Sequence, residues 1–200
     1  MCIILVGNVT KEQHEAARVQ NGDGFSLFTQ KQGLIKAPTA KQVKEALGDF
    51  GIWHYRIATS GDRKSVQNIH PFPVCGGKYL LYHNGILGEG LGKKSDTHAL
   101  ANTLQNVSPR SAETILQSLA GGRNRFVMAD AKDPKKLYLY GEWVADAGVI
   151  MSHRLTVPVR TYNYSDTAYG TSYQANFTAN FTRDIGGYSV GDFIPRGERE

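Results

Sequence analysis

Cysteine is scarce in this chain. Its 200 residues include only Cys2 and Cys75, too few for a disulfide scaffold and in keeping with a reducing cytoplasm. A bridge between the two is left open by counting alone. There is no C-x-x-C pair and no histidine pair at ligand spacing, so neither a zinc site nor any other cofactor is expected. No apolar run approaches the roughly 20 residues that a membrane span needs. No basic segment precedes a long apolar stretch at the start, so no secretory signal and no membrane partner are expected. Charge is not extreme either. A net charge of +5 permits weak attraction to nucleic acid or acidic partners without requiring it.

What is present is globular. Apolar residues make up 40% and charged residues 20%, and the length suits one domain, or one domain with a tail. The 22 glycines and 10 tyrosines lean towards strands and tight turns. The chain opens Met1-Cys2-Ile3-Ile4-Leu5-Val6, a cysteine followed by a β-branched apolar run that reads as a buried strand. Removal of Met1 would give Cys2 both a thiol and a free α-amine, whose pKa of about 7.7 to 8.0 leaves a useful neutral fraction. Such a thiol carries its own general base. The bland alternative is that Cys2 is a small buried residue at a strand start.

The remaining elements follow from pattern. Thr10 is a candidate cap for a helix to Val19, with Gln13 completing a capping box. Asn21-Gly22-Asp23-Gly24 is a turn leading into a strand at Phe25–Thr29, expected antiparallel to the first. Pro38 to Leu47 reads as a helix capped by Thr39. In Trp53-His54-Tyr55-Arg56-Ile57-Ala58-Thr59-Ser60-Gly61, alternation puts His54, Arg56 and Ala58 on one face. An arginine there is costly unless a partner waits; a fork aimed at a carboxylate is one solution, a structural ion pair another. The loop His70-Pro71-Phe72 precedes a strand at Lys78–His83, which ends at Asn84-Gly85. That dipeptide is by default a hairpin turn, and it can also present an amide and a close N–H to an oxyanion. Ser95 or Asp96 would cap a helix through Leu104. A second helix runs from about Ser111 to Ala120. Strands follow at Phe126–Ala129 and Leu137–Tyr140, then a hairpin from Gly141–Trp143 and Gly148–Ser152. This order implies a layered α+β domain, with sheets packed face to face and helices outside. From residue 156 aromatic residues are scattered among Asn, Ser, Thr and Gly. Residues 156–200 read as an extension after a domain at 1–155, either a partner-docking segment or a partly disordered tail. Only Arg160 and Arg183 lie within its aromatic part, which makes nucleic-acid binding the weaker alternative.

Cys2, Arg56 in its HYRIATSG stretch, the His70-Pro71-Phe72 loop, His83-Asn84-Gly85 and Ser95-Asp96-Thr97 share an order and spacing. Together they resemble the glutaminase domain of class II glutamine amidotransferases. The resemblance covers residues 1–104 well and runs loosely to about Ser152. It implies an N-terminal nucleophile hydrolase fold, a four-layer αββα sandwich of two mostly antiparallel sheets. It implies that Cys2 is the nucleophile and that Asn84 and Gly85 form the oxyanion hole. Arg56 and Asp96 would hold the α-carboxylate and α-ammonium of L-glutamine, with Thr59 and Ser60 lining the same pocket. It also departs from the family: Ile57 and Ser60 stand where many members carry an aromatic residue and a histidine, and His98 stands where an acidic residue is common. No acceptor domain follows within 200 residues, so an ammonia-accepting synthetase or transferase on a separate chain is the implied partner. Compact stand-alone domains of this kind occur in bacteriophages, where nucleotide or nucleobase modification is the implied use and the host cytoplasm the implied location. Two alternatives are an N-terminal nucleophile hydrolase acting on another amide and a non-catalytic binding protein that keeps the fold.

Overall fold

A computed structural model describes residues 1–155 except Glu89 and Leu91. The expected extension at 156–200 therefore lies outside the described residues. Among the described residues, ten strands form two sheets in which every neighbouring pair is antiparallel.

The first strand, β1 (Ile3–Asn8), lies inside a six-stranded sheet. On one side it pairs with β4 (Phe50–Arg56), and on the other with β10 (Val149–Met151), which pairs in turn with β9 (Val144–Asp146). Beyond β4 come β2 (Gly24–Thr29) and β3 (Gly33–Lys36). The expected antiparallel direction of β2 relative to β1 is therefore incorrect. The two strands are separated by β4 and run in the same direction. The physical reason is α1 (Lys11–Gln20), a helical crossover long enough to return the chain to the same end of the sheet. Both predicted capping boxes form, Thr10 with Gln13 on α1 and Thr39 with Gln42 on α2 (Ala40–Ala46).

The second sheet has the order β5 (Phe72–Val74), β6 (Tyr79–Asn84), β7 (Arg125–Asp130), β8 (Leu137–Tyr140). Between β6 and β7 the chain forms α3 (Asp96–Leu104) and α4 (Pro109–Leu119). Asn84-Gly85 is thus not a hairpin turn, because β6 exits into the long connection to α3 and pairs onward with β7. The last hairpin also begins later than expected, at Val144 rather than Gly141.

Three apolar clusters set the layers. Ile4, Val6, Phe28, Ile52 and Ile150 from the first sheet meet Leu80, Tyr82, Val127 and Ala129 from the second. On the outer face of the first sheet, Leu5, Leu27, Trp53 and Tyr55 pack with Ala17 of α1 and Val43 and Ala46 of α2. On the outer face of the second, Leu81, Phe126 and Met128 pack with Ala101 and Leu104 of α3 and Ala112 and Leu116 of α4. The order is helix pair, sheet, sheet, helix pair. Alternation along each strand produces it, since successive side chains leave opposite faces. Among the described residues, no helix is long and apolar enough to cross a membrane.

Candidate active site

The ends of β1, β4 and β6 converge where the two sheets meet, and each delivers one group. Cys2 precedes β1 and is buried, with its Sγ–H directed at the carbonyl of Ile57 at 3.8 Å. Cys2 and Cys75 are both free thiols, so the bridge left open by counting is absent. Burial is the largest influence on Cys2 and pushes its thiol pKa up. The Ile57 carbonyl contact, the terminal amine and Arg56 pull it down. The balance leaves a thiol rather than a thiolate at neutral pH, so attack requires a proton acceptor. The Asn21 side chain ties the terminus to β4: its Nδ2 donates to Met1 O at 2.8 Å and to Tyr55 O at 3.1 Å.

Arg56 ends β4 and is almost fully buried. Its guanidinium donates to the carbonyls of Arg63 (2.9 Å), Ser60 (3.3 Å) and Asp62 (3.4 Å). These three bonds satisfy most of the fork and fold the loop after β4 over it. The alternation assumed from sequence stops here. The chain leaves the strand after Arg56, and Ala58 N donates to Asp23 Oδ2 at 2.9 Å. Asp23 Oδ1 also pairs with Arg63 Nε at 2.7 Å, which ties the loop to the β2 turn. Gly61 has φ of +69°, and a Cβ there would lie 2.6 Å from Ser95 N. Only glycine lets the loop lie against the start of α3. Asn68 closes the same seam. Its Nδ2 donates to Asp62 O and Lys93 O, and its Oδ1 accepts from Ser95 N at 3.0 Å.

Asp96 opens α3 behind the Ser95 cap. It accepts from Leu87 N (2.9 Å), Thr97 N (2.7 Å) and Ser60 Oγ (3.3 Å). Asn84 closes β6, fully buried, with Oδ1 unpartnered among the described residues. Gly85 follows with φ of +155°, and a Cβ there would overlap Asn124 Oδ1 and lie 2.7 Å from His83 Nε2. His83 is held at both ring nitrogens, by Thr97 Oγ1 at 2.8 Å and Asn124 Oδ1 at 3.1 Å. The turn is therefore rigid and admits no side chain. Gly85→Ala is expected to cost about 2 to 4 kcal/mol through overpacking and backbone strain, measured as a lowered urea midpoint with unchanged slope.

Cys2, Arg56, Thr59, Ser60, Gly85 and Asp96 line one cavity of about 20 Å³, together with Ile57, His70, His83, Ser95 and Thr97. Asn84 adjoins it through Gly85. That volume holds about one water, so a ligand the size of an amino acid requires the lining to open. A groove of about 840 Å³ between α1 and α2 is far larger, but it holds neither cysteine and none of the predicted site residues. Sequence reasoning did not assign His70, whose two ring nitrogens are buried without partners among the described residues. It also passed over Asn124 and His153. The first had a local signal in its Pro-bounded loop; the other two lie far along the chain from the groups they touch.

No protein-family model matches this chain. Curated proteins do. Over 161 aligned residues, covering 69% of this chain and 27% of the relative, it is 32% identical to a glutamine–fructose-6-phosphate aminotransferase (isomerizing) of Thermococcus kodakarensis. It is 25% identical over 138 residues to the protein of that name from Staphylococcus aureus, and 26% identical over 139 residues to that from Streptococcus pyogenes. These matches take in 60% of this chain and 23% of each relative. The similarity is to aminotransferases that use glutamine. The chain spans about a quarter of the length of the relatives it matches.

Proposed function

We propose that this chain is the glutaminase part of a class II glutamine amidotransferase, with an N-terminal nucleophile hydrolase fold. It hydrolyses the side-chain amide of L-glutamine to glutamate and ammonia. The observation that carries this is the meeting, in one cavity, of the Cys2 thiol, the buried Arg56 guanidinium, the Asp96 carboxylate and the Gly85 turn. A free amino acid offers a carboxylate and an ammonium at one end and an amide at the other. That set of groups matches all three.

Catalysis starts from the chain without Met1. The α-amine of Cys2 accepts the thiol proton as Sγ attacks the amide carbon, and the carbonyl oxygen becomes an oxyanion. Asn84 Nδ2 and the Gly85 N–H stabilise it. Loss of one such donor typically costs about 2.7 to 4 kcal/mol. The C–N bond then breaks, the amine returns its proton to the leaving nitrogen as ammonia, and a Cys2 thioester remains. Water activated by the same amine hydrolyses the thioester to glutamate and restores the thiol. Arg56 exchanges some of its backbone carbonyl partners for the substrate carboxylate, and Asp96 takes the ammonium, with Thr59 and Ser60 beside them.

Ammonia passes to an acceptor enzyme on a separate chain, with nucleotide or nucleobase modification as its use, in the cytoplasm of the cell or host. The test is a substrate panel with intact-mass analysis. The expected result is a protein lacking Met1 that releases ammonia from L-glutamine but not from N-acetylglutamine or glutaminamide, each of which lacks one charge of the zwitterion. Equal turnover of all three would favour a hydrolase of another amide. A retained Met1 with no turnover would favour a binding protein.

A further inference from the structure

Asn84 presents its Nδ2 to His153 Nδ1 at 3.4 Å, while its Oδ1 has no partner among the described residues. An amide nitrogen carries two hydrogens and no acceptor lone pair. The contact is therefore a hydrogen bond only when His153 Nδ1 is bare and the ring proton sits on Nε2. The backbone that delivers His153 is fixed. Ser152 follows β10, its N–H donates to Ile4 O at 2.9 Å, and its Oγ accepts from Ile4 N at 3.0 Å. Ser152 Oγ also lies 3.5 Å from His153 Nδ1. The ring thus reaches from the first sheet to the second, beside the start of β1.

We propose that His153 is a positioning residue for the oxyanion hole: its neutral Nδ1 takes one hydrogen of the Asn84 amide and so aims the other into the cavity. This rests on the glutaminase function proposed above and adds a residue to that site. Among the described residues, the charged groups acting on His153 are the terminal amine, carried by Met1 here and by Cys2 once Met1 is removed, and Arg125 of β7, while Asn84 and Ser152 do not titrate. Burial first, then these two cations, hold the imidazole pKa below its ordinary value, so the ring is neutral at physiological pH. Protonation would turn Nδ1 into a donor facing the amide N–H. The amide would then turn over and offer its carbonyl oxygen to the oxyanion, which is repulsive. Protonation of the Cys2 amine already lowers glutamine turnover below about pH 8, and a further loss follows as pH drops through the His153 pKa, in a window below about 6.5.

The experiment compares wild type, His153→Ala and His153→Asn for glutamine hydrolysis between about pH 5 and 8, where histidine titrates. It also measures Cys2 alkylation by iodoacetamide, which needs no oxyanion hole, and the tautomer of His153 by nitrogen NMR. The expected result for His153→Ala is a kcat lower by about tenfold to a hundredfold, less than or equal to the loss of an oxyanion donor. KM and the alkylation rate stay unchanged. His153→Asn, which can accept but does not titrate, restores most of kcat and shifts or flattens the acid limb. The wild-type ring carries its proton on Nε2 at neutral pH. Unchanged kcat and pH profile in His153→Ala, alkylation that falls in step with kcat, or a proton on Nδ1 at neutral pH would each overturn the proposal. A wild-type enzyme inert towards glutamine would instead sink the glutaminase function, whatever the tautomer.

Discussion

Cys2→Ala is expected to fold normally and to lose glutamine hydrolysis by at least about 10⁴-fold, the scale on which removal of a covalent nucleophile acts. The variant removes one buried sulfur, and its only hydrogen bond among the described residues is the 3.8 Å contact to Ile57 O. Its stability should therefore stay within about 1 kcal/mol of wild type. The α-amine, Arg56 and the Gly85 turn all remain. If activity depended on a water activated by the amine alone, Cys2→Ala would retain most of it. Ammonia release measured alongside a urea melt separates chemistry from folding. An active Cys2→Ala protein would rule out the thioester route.

The second large effect is on stability in acid. His54 is wholly buried and His70 nearly so, with ring centroids 4.1 Å apart. His54 Nε2 lies 3.3 Å from His83 O, and its Nδ1 has no partner among the described residues. Burial lowers the His54 pKa to about 3 and lowers that of His70 well below 6.5. The unfolded chain binds these protons near pH 6.5 while the folded chain refuses them. Stability is thus fully present above about pH 6.5 and is lost as pH falls towards 3, at up to about 1.4 kcal/mol per pH unit for each histidine. For His54 alone the loss reaches up to about 5 kcal/mol at pH 3. That is comparable with the whole stability of an ordinary domain. Urea midpoints measured from pH 7 to 4 should fall steadily, and fall less in a His54→Gln variant. A flat profile would mean that the two rings are protonated inside the fold.

Local signals in the sequence translated well. The Thr10–Gln13 and Thr39–Gln42 boxes involve neighbours three residues apart, and both form. The Ser95 cap and the apolar strands were legible for the same reason. What failed depends on partners distant in the chain. Nothing near Phe25 says that β4, some 25 residues later, will insert between β2 and β1. Asn84-Gly85 has hairpin chemistry, yet its glycine is required by Asn124 and His83 crowding the turn. β3 was not recognised because four edge residues, three half-buried and Leu34 exposed, carry little alternation. In the candidate site, Cys2, Arg56, Gly85 and Asp96 were legible as a spaced set, and they line one cavity. The engagement of Arg56 by its own loop was not legible, since backbone carbonyls leave no trace in side-chain identity.

The cavity draws one wall from each sheet: Cys2 and Arg56 from the first, His83 and the Gly85 turn from the second. Among the described residues, the apolar layer between them is the cluster around Ile4, Ile52, Tyr82 and Val127. The reactive geometry therefore works as a gauge of how squarely two slabs are stacked. A sideways creep of a single ångström between them would spoil the alignment while leaving each slab's own ladder intact. Turnover is then the most fragile property of the molecule, and it would fade while spectroscopy still recorded a native complement of helix and strand.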